Sequence, residues 1–435
     1  MNVKVFPFPP RGSDFASGQA KGVLEYLRRN GAKTCVLESE YIDKDYLIDY
    51  QEFYSRSFSK EGRYTKRVHF FTSRFSERTF SRWVGGGEPA DLQSKYLGFV
   101  VVKPVRNSQK HLLIGRSVLR YPLEASDPGC KFVSDSTNVS LFGIPLRVEG
   151  LPFQAQDEAV SACATIALWT TMQPLTKTFD VPKHSPAEIT LISGDYPSTG
   201  RIFPSAGLNI PQMISYVRSV GLDVEFIGDL TDSDDPVPMN TQIIAKATKA
   251  YVSAHIPLIA SLRVVSNRVP DYHAATIVGY HCDGRGEVDS LYVHDDQIGP
   301  YELTLPISGE LGRWSNGWAA HHCQVYLEQL LIPVYTKIRL DFHSVMPHVG
   351  RLMEFLKRQF ELEEDLDYEV FLTTVQEYKK DIRKESIVRK VQLLETLLPR
   401  FIWVVRIFES GRRDVDFLID GTSTKFTIPA IALYQ

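Results

Sequence analysis

The sequence lacks two features that would place the protein outside the cell or in a membrane. It has 5 cysteines among 435 residues, an odd and sparse set that argues against a disulfide-stabilised secreted scaffold. No segment reaches the ~20 consecutive apolar residues of a membrane-spanning helix, and the first residues lack the charged and apolar regions of a signal peptide. We therefore expect a cytoplasmic protein with reduced thiols and no membrane partner.

An excess of either charge is also absent. The 49 Lys and Arg residues nearly balance 52 Asp and Glu residues, and the formal net charge is −3. Binding to nucleic acid through bulk charge is therefore not expected. One segment, residues 53–84, mixes basic with aromatic residues, as some single-strand-binding surfaces do. Because most runs of charge are solvated surfaces, we expect no nucleic-acid partner there. An acidic protein would suit this segment as well as nucleic acid would.

The length of the chain and two changes of pattern predict three domains. A chain of 435 residues exceeds what one ordinary core supports. Residues 1–145 predict a mixed α/β accessory domain, and residues 331–435 predict a C-terminal α+β domain. Residues 146–330 predict helices first and closely spaced antiparallel strands afterwards, which is an α+β arrangement. The expected fold is thus an α+β core flanked by two accessory domains of α/β type.

Individual elements follow from apolar periodicity and from the positions of Gly and Pro. The run Tyr96–Lys103 predicts a buried strand that is stopped by the proline after it. In the C-terminal part, Pro347–Phe360 and Thr373–Leu398 predict helices, the first opened by its own proline. Phe401–Phe408 and Val415–Ile419 predict an antiparallel pair of strands.

The middle segment carries a cysteine, a histidine and an aspartate in the order that a thiol hydrolase uses. Such chemistry needs a thiolate, a base to deprotonate it and an acceptor to orient the base. Cys163 follows Ser161, the expected cap of a helix that runs to about Met172, and would be the second helical residue. His273 stands where a loop enters an apolar strand, and Asp295 ends the next strand. Unpaired N–H groups at a helix start favour a thiolate at Cys163.

This order resembles that of papain-like cysteine peptidases, and more closely their C39-like branch. There a cysteine opens a helix, a histidine opens a strand, and an aspartate ends the next strand shortly before a glycine. Cys163, His273 and Asp295 match that pattern, and Gly299 follows at the family's spacing. The resemblance covers roughly residues 150–330. It implies a papain-like core that cleaves a peptide or isopeptide bond in a protein or peptide substrate, without a cofactor.

Two positions of the site have alternatives. Gln156 could donate its amide to the oxyanion, as a glutamine does in the family, but Gln154 is a competitor for that role. Asp296 is the alternative to Asp295, because adjacent residues on a strand point to opposite faces and only one of them can reach the histidine ring.

A different class of function is also open. The flanking domains make up more than half of the chain, so the core could be a catalytically silent papain-like scaffold that acts as a sensor by binding a protein partner or nucleic acid. We expect no metal site, because the other histidines and cysteines of the region lack CxxC and HxxxH spacings. These residues are His281, Cys282, His294, His321, His322 and Cys323.

Overall fold

The computed structural model describes residues 3–10, 18–58, 61–87, 91–107, 111–157, 159–197, 200–205, 207–228, 239–267, 269–306, 314–315, 323–361 and 366–435. Within these residues the protein combines helices with antiparallel sheets, so the α+β prediction is confirmed. The strand pairings in the described parts of both flanks are antiparallel, which agrees with the α+β prediction for residues 331–435 and corrects the α/β-type prediction for residues 1–145.

The first part of the chain builds a seven-stranded sheet that is covered by helices. The path of this sheet is β1-β2-β3-β4-β6-β10, and β5 pairs with β4. The elements of this part are β1 (Val3–Pro7), α1 (Gly18–Arg29), β2 (Thr34–Tyr41), α2 (Lys44–Glu52), β3 (Thr65–Phe71), α3 (Glu77–Val84), α4 (Leu92–Lys95), β4 (Tyr96–Arg106), β5 (Leu112–Ile114), β6 (Ser117–Leu119), β7 (Cys130–Phe132), β8 (Ser136–Leu141), β9 (Ile144–Glu149) and β10 (Pro152–Phe153).

The sequence predicted that strand β4 ends before Pro104, but the strand continues to Arg106. Proline has no N–H to give to a sheet, so it is tolerated in a strand only where the pairing is interrupted. Such an interruption lies here, because the pairing of β4 with β5 is irregular between Val102 and Arg106.

The middle part forms an eight-stranded sheet with α5 and α8 packed against it. The path of this sheet is β11-β17-β12-β13-β14-β15-β16, and β7 pairs with β13. Its elements are α5 (Cys163–Phe179), α6 (Pro186–Ser193), α7 (Ile210–Ser219), β11 (Leu222–Gly228), α8 (Thr241–Val252), β12 (Leu258–Ser266), β13 (Val269–Cys282), β14 (Val288–Asp295), β15 (Gly299–Pro306), β16 (Trp314–Ser315) and β17 (Gln324–Tyr335).

The C-terminal part forms a four-stranded sheet, β18-β19-β20-β21, with three helices. The predicted antiparallel pair is confirmed as β19 and β20, whereas two helix predictions are corrected below. The elements are α9 (Phe342–Gln359), β18 (Asp367–Thr374), α10 (Val375–Ile382), α11 (Lys390–Glu395), β19 (Phe401–Glu409), β20 (Arg412–Asp420) and β21 (Ala430–Leu433).

Both helix predictions in the C-terminal part misplaced their elements. Helix α9 begins before Pro347, because the side chain of Asp341 accepts the N–H of Ser344 and caps the helix there. The predicted long helix of residues 373–398 is instead the end of a strand followed by two short helices. Lys379 Nζ donates to the carbonyl oxygens of Leu394 and Thr396, and these bonds fold α11 back against α10.

The first two sheets each contain a short strand from the other part of the chain. Strand β7 pairs with β13, and it lies so close that a Cβ on Gly279 would be 2.6 Å from the carbonyl oxygen of Lys131. Strand β10 pairs with β6 of the first sheet. Each of the two sheets therefore contains strands from both sides of the predicted boundary at residues 145–146, so the two predicted domains are interleaved.

One continuous cluster of buried side chains extends through all three predicted domains. It includes Ala20 on α1, Trp169 on α5 and Trp403 on β19. Trp403 also donates its indole N–H to the carbonyl oxygen of Leu340 at 2.8 Å. None of the described helices is long and apolar enough to cross a membrane.

Candidate active site

Cys163 is the first residue of α5, not the second, and it is half-buried. The expected cap, Ser161, does not cap the helix, because its backbone pairs with that of Asp157 and the helix begins one residue later than expected. Ala162 occupies the cap position without a side-chain hydrogen bond. The cap residue thus gives no side-chain acceptor to the first N–H groups of α5, and such groups favour a negative charge on the sulfur.

Helix α5 is longer than predicted and is fixed on strand β13. It runs past Met172 and through Pro174 to Phe179, because Leu175 and Phe179 are buried in the core. The hydroxyl of Thr276 on β13 donates to the carbonyl oxygen of Ala167 at 3.2 Å. This bond ties the first turns of the helix to the strand that carries the candidate base.

The sequence predicted His273 at the start of its strand, but the residue lies inside strand β13. The hairpin of β12 and β13 extends back to the pair Ser266 and Val269, and His273 pairs with Leu262 within it. Its side chain is 5% exposed and is hydrogen-bonded to that of Cys163. The structure therefore brings the predicted nucleophile and the predicted base together.

Both candidate carboxylates face the same ring nitrogen. Nε2 of His273 lies 3.1 Å from Oδ2 of Asp295 and 3.7 Å from Oδ1 of Asp296. Asp295 is the carboxylate at hydrogen-bonding distance, while Asp296 also lies near the ring, because β14 ends at Asp295 and the alternation of a strand does not extend to Asp296. Since Nε2 faces the carboxylates, Nδ1 is the ring nitrogen that remains for the thiol.

Asp295 is closer to the ring, and its own turn fixes its orientation. Its Oδ1 accepts the backbone N–H groups of Gln297 and Ile298, at 3.0 Å and 3.2 Å. Neither carboxylate oxygen of Asp296 has a hydrogen-bond partner among the described residues, although both are buried. Geometry therefore favours Asp295 as the residue that orients the imidazole.

The electrostatics of the site favour a charged imidazole. Burial by itself lowers the pKa of His273, but the charge and hydrogen bond of Asp295, the bond to Cys163 and the charge of Asp296 raise it. The net result is a pKa well above the usual value for histidine. Burial raises the pKa of Asp296; the charge of His273 offsets part of this increase, and the charge of Asp295 adds to it. An imidazolium beside a sulfur stabilises a thiolate, which is the reactive form.

The two candidate oxyanion donors lie on the segment that leads into the helix. Asp157 forms an isolated backbone bridge with Ser161, and Gln156 precedes that bridge by one residue. Gln154 is 1% exposed, and its amide nitrogen has no hydrogen-bond partner among the described residues. The unused donor favours Gln154, and both glutamines stay candidates.

The segment before α7 packs against the residues that lead into α5. The N–H of Ser205 donates to the carbonyl oxygen of Ala159, and a Cβ on Gly207 would lie 3.9 Å from that of Ala162. Gly207 has a φ of +109°, a conformation that favours glycine. This segment is one wall beside Cys163.

The sequence did not predict a buried ionic cluster around Asp157, on the segment that leads into α5. Lys103 Nζ lies 3.4 Å from Oδ2 of Asp49 and 3.6 Å from Oδ2 of Asp157. Tyr54 donates its hydroxyl to Asp157 at 2.5 Å, and Asp157 also accepts the N–H groups of Ala159 and Val160. Lys103 and Asp49 come from the first part of the chain, which therefore supports the segment before Cys163. The only sequence signal was a lysine inside an apolar run.

The other histidines and cysteines of the region contribute to no further metal-ligand group among the described residues. His281 pairs with Asp289 at 2.7 Å on the surface, while His321 and His322 lie outside the described residues. Within the described part of the chain, the one group with metal-ligand geometry is His273, Asp295 and Asp296.

In segment 53–84, most of the aromatic side chains contribute to the interior and do not form a stacking surface. Phe70, Phe71 and Phe80 are buried, and Phe75 and Trp83 pack against them. Phe58 and Tyr64 are the exposed aromatic side chains in the described part of this segment.

Known proteins give no guide to the role of this site. No protein-family model matches the chain, and no curated protein matches it. The case for a function therefore depends on the geometry of Cys163, His273 and Asp295.

Proposed function

We propose that the protein is a cysteine peptidase of papain-like type, similar to the C39-like branch, that cleaves a peptide or isopeptide bond. The observation that carries this proposal is the alignment of three side chains from separate elements. His273 is hydrogen-bonded to Cys163 on one side and lies 3.1 Å from Asp295 on the other. The order of a cysteine-bearing helix and a following antiparallel sheet supports the same assignment.

The geometry suits the two steps of acyl transfer. The Cys163 thiolate attacks the carbonyl carbon, and the oxyanion is held by the Cys163 N–H and by the amide of Gln156 or Gln154. The imidazolium of His273 gives its proton to the leaving amine, so that a thioester and a neutral imidazole remain. The imidazole then takes a proton from water, which attacks the thioester and releases the acid.

Reduced thiols are part of this proposal. None of the five cysteines forms a disulfide, which fits a reducing, cytoplasmic compartment. The substrate is a protein or peptide, and the chemistry of the site needs no cofactor.

Selective alkylation tests the proposal without knowledge of the substrate. Iodoacetamide at neutral pH should label Cys163 before the other cysteines, as read by mass spectrometry of the digested protein. Cys282 is a matched internal control, because it is also half-buried and burial raises the pKa of its thiol to about 11. Cys163→Ala should abolish both this labelling and any peptidase activity while the fold is retained, since it removes little apolar volume.

The alternative is a catalytically silent scaffold. More than half of the chain lies outside residues 146–330 and shares one buried core with them. A Cys163 that reacts no faster than Cys282 would support this alternative and contradict the peptidase.

A further inference from the structure

Helix α1 lies in direct contact with the turn that holds Asp295. A Cβ added to Gly22 would be 1.7 Å from the carbonyl oxygen of Ile298 and 3.2 Å from Cα of Gly299. Both are backbone atoms, which cannot move aside as the end of a side chain can. Gly22 stands inside a helix, where glycine is disfavoured relative to alanine. Its close approach to the turn is the reason that we assign for it.

The same turn orients the carboxylate of the site. The N–H of Ile298 donates to Oδ1 of Asp295, and the other oxygen of Asp295 faces His273. Asp295 also pairs with Gly299 at the start of β15. A displacement of Ile298 therefore changes the position of the group that orients the imidazole.

A second contact fixes the helix one turn further along. Tyr26 stacks on Tyr301 of β15 with ring centroids 5.4 Å apart, and it donates its hydroxyl to the carbonyl oxygen of Arg120. Tyr301 in turn accepts the N–H of Leu151 at 2.8 Å. Gly22 and Tyr26 are four residues apart and lie on one helix face. Helix α1 is thus fixed to both ends of the segment that begins with the Asp295 turn.

We propose that helix α1 positions Asp295 for catalysis and that Gly22 is a positioning residue of the active site. The proposal rests on the proposed function, because it gives Asp295 a catalytic role. It assigns the first part of the chain, which lies outside residues 146–330, to the catalytic unit. The helix touches none of the reacting atoms and acts only through the turn.

The matched pair Gly22→Ala and Gly350→Ala tests this role. Gly350 also lies inside a helix, α9, but has nothing within 4 Å of an added Cβ. Gly350→Ala should leave the rate of Cys163 alkylation unchanged. Gly22→Ala should lower that rate on the order of 10–100-fold, since a shift of about 1 Å at a catalytic group has such an effect. Its pH profile should also shift, because the imidazole loses its oriented acceptor.

A double-mutant cycle separates positioning from a general loss of stability. In an Asp295→Asn background, Gly22→Ala should have almost no further effect on alkylation, since the group it displaces has already lost its role. Equal and additive effects in the two backgrounds would overturn the proposal, as would wild-type alkylation in a folded Gly22→Ala protein. If Gly22→Ala does not fold, Tyr26→Leu removes the second contact and should show the same non-additivity.

The nitrogen NMR signals of the His273 ring distinguish failure of this proposal from failure of the proposed function. An unreactive Cys163 in the wild type would contradict the peptidase. The positioning of Asp295 would still be tested, because Gly22→Ala should change the Nε2 signal of His273 and Gly350→Ala should not. Identical Nε2 signals in all three proteins would overturn the role of helix α1.

Discussion

Acid pH should destabilise the protein through His294, a buried histidine behind the candidate site. The side chain is 4% exposed and contacts Phe153 and Tyr301 edge-on, with ring centroids 5.6 Å and 4.5 Å away. Burial lowers its pKa to about 3, and a backbone hydrogen bond at Pro152 offsets only part of that effect. The folded protein therefore holds this imidazole neutral at a pH where the unfolded chain protonates it.

The size of the effect follows from the two pKa values. A histidine in the unfolded chain has a pKa of about 6.5. The unfolded state gains a proton below that pH, while the folded state gains it only near pH 3. Stability is therefore fully present above about pH 6.5 and falls as the pH is lowered. At 1.36 kcal/mol per pH unit, the loss is about 2 kcal/mol at pH 5 and about 5 kcal/mol near pH 3.

Urea unfolding of the wild type and of His294→Phe at pH 7 and pH 5 measures this contribution. Phenylalanine fits among the aromatic neighbours and cannot be protonated, so the variant should lose about 2 kcal/mol less than the wild type between these pH values. Buried His69, whose pKa is about 4, and His273 remain in both proteins and cancel in the comparison. Exposed His343→Gln is the control and should behave as the wild type. Equal losses in the wild type and His294→Phe would refute the reasoning.

Two further substitutions test the site and its support. Asp295→Asn should lower turnover, or the rate of Cys163 alkylation, on the order of 100-fold with little change in substrate affinity. Asp296→Asn should lower the same rate by less than about tenfold, as steady-state kinetics would show. The reverse order would assign the orienting role to Asp296. Lys103→Met leaves Asp49 buried without its cation, and it should lower the free energy of unfolding by about 3–5 kcal/mol in urea, whereas a change below 1 kcal/mol would show that the buried cluster does not need its lysine.

The features of the site that the sequence predicted are those that depend on local pattern. Apolar runs of strand length end or begin near His273 and Asp295, and an alanine-rich helical segment follows Cys163. Chain order then brings these three residues to one place, because an antiparallel sheet behind a helix has few ways to arrange them. The structure agrees on the contacts, while the catalytic roles stay predictions.

The errors arose where contacts distant in sequence override local pattern. Residues 373–398 are rich in Lys, Glu and Leu at helical spacing, yet pairing of Thr374 with Phe401 makes the first of them a strand. The start of α5 depends on the pairing of Asp157 with Ser161, which propensity does not show. Strands of two or three residues, such as β7 and β10, are too short to show an alternation of apolar and polar residues.

The interleaved strands also set the order in which the protein can be completed as it is synthesised. Strand β7 leaves the ribosome early but has to wait for β13, whose last residue is Cys282. At about 5–20 residues per second, the interval between residues 132 and 282 corresponds to roughly 8–30 s. His273 reaches its place in the sheet only in this last stage. A nascent chain therefore carries Cys163 for many seconds before His273 is beside it, so the proposed thiolate–imidazolium pair can form only when most of the molecule has been made.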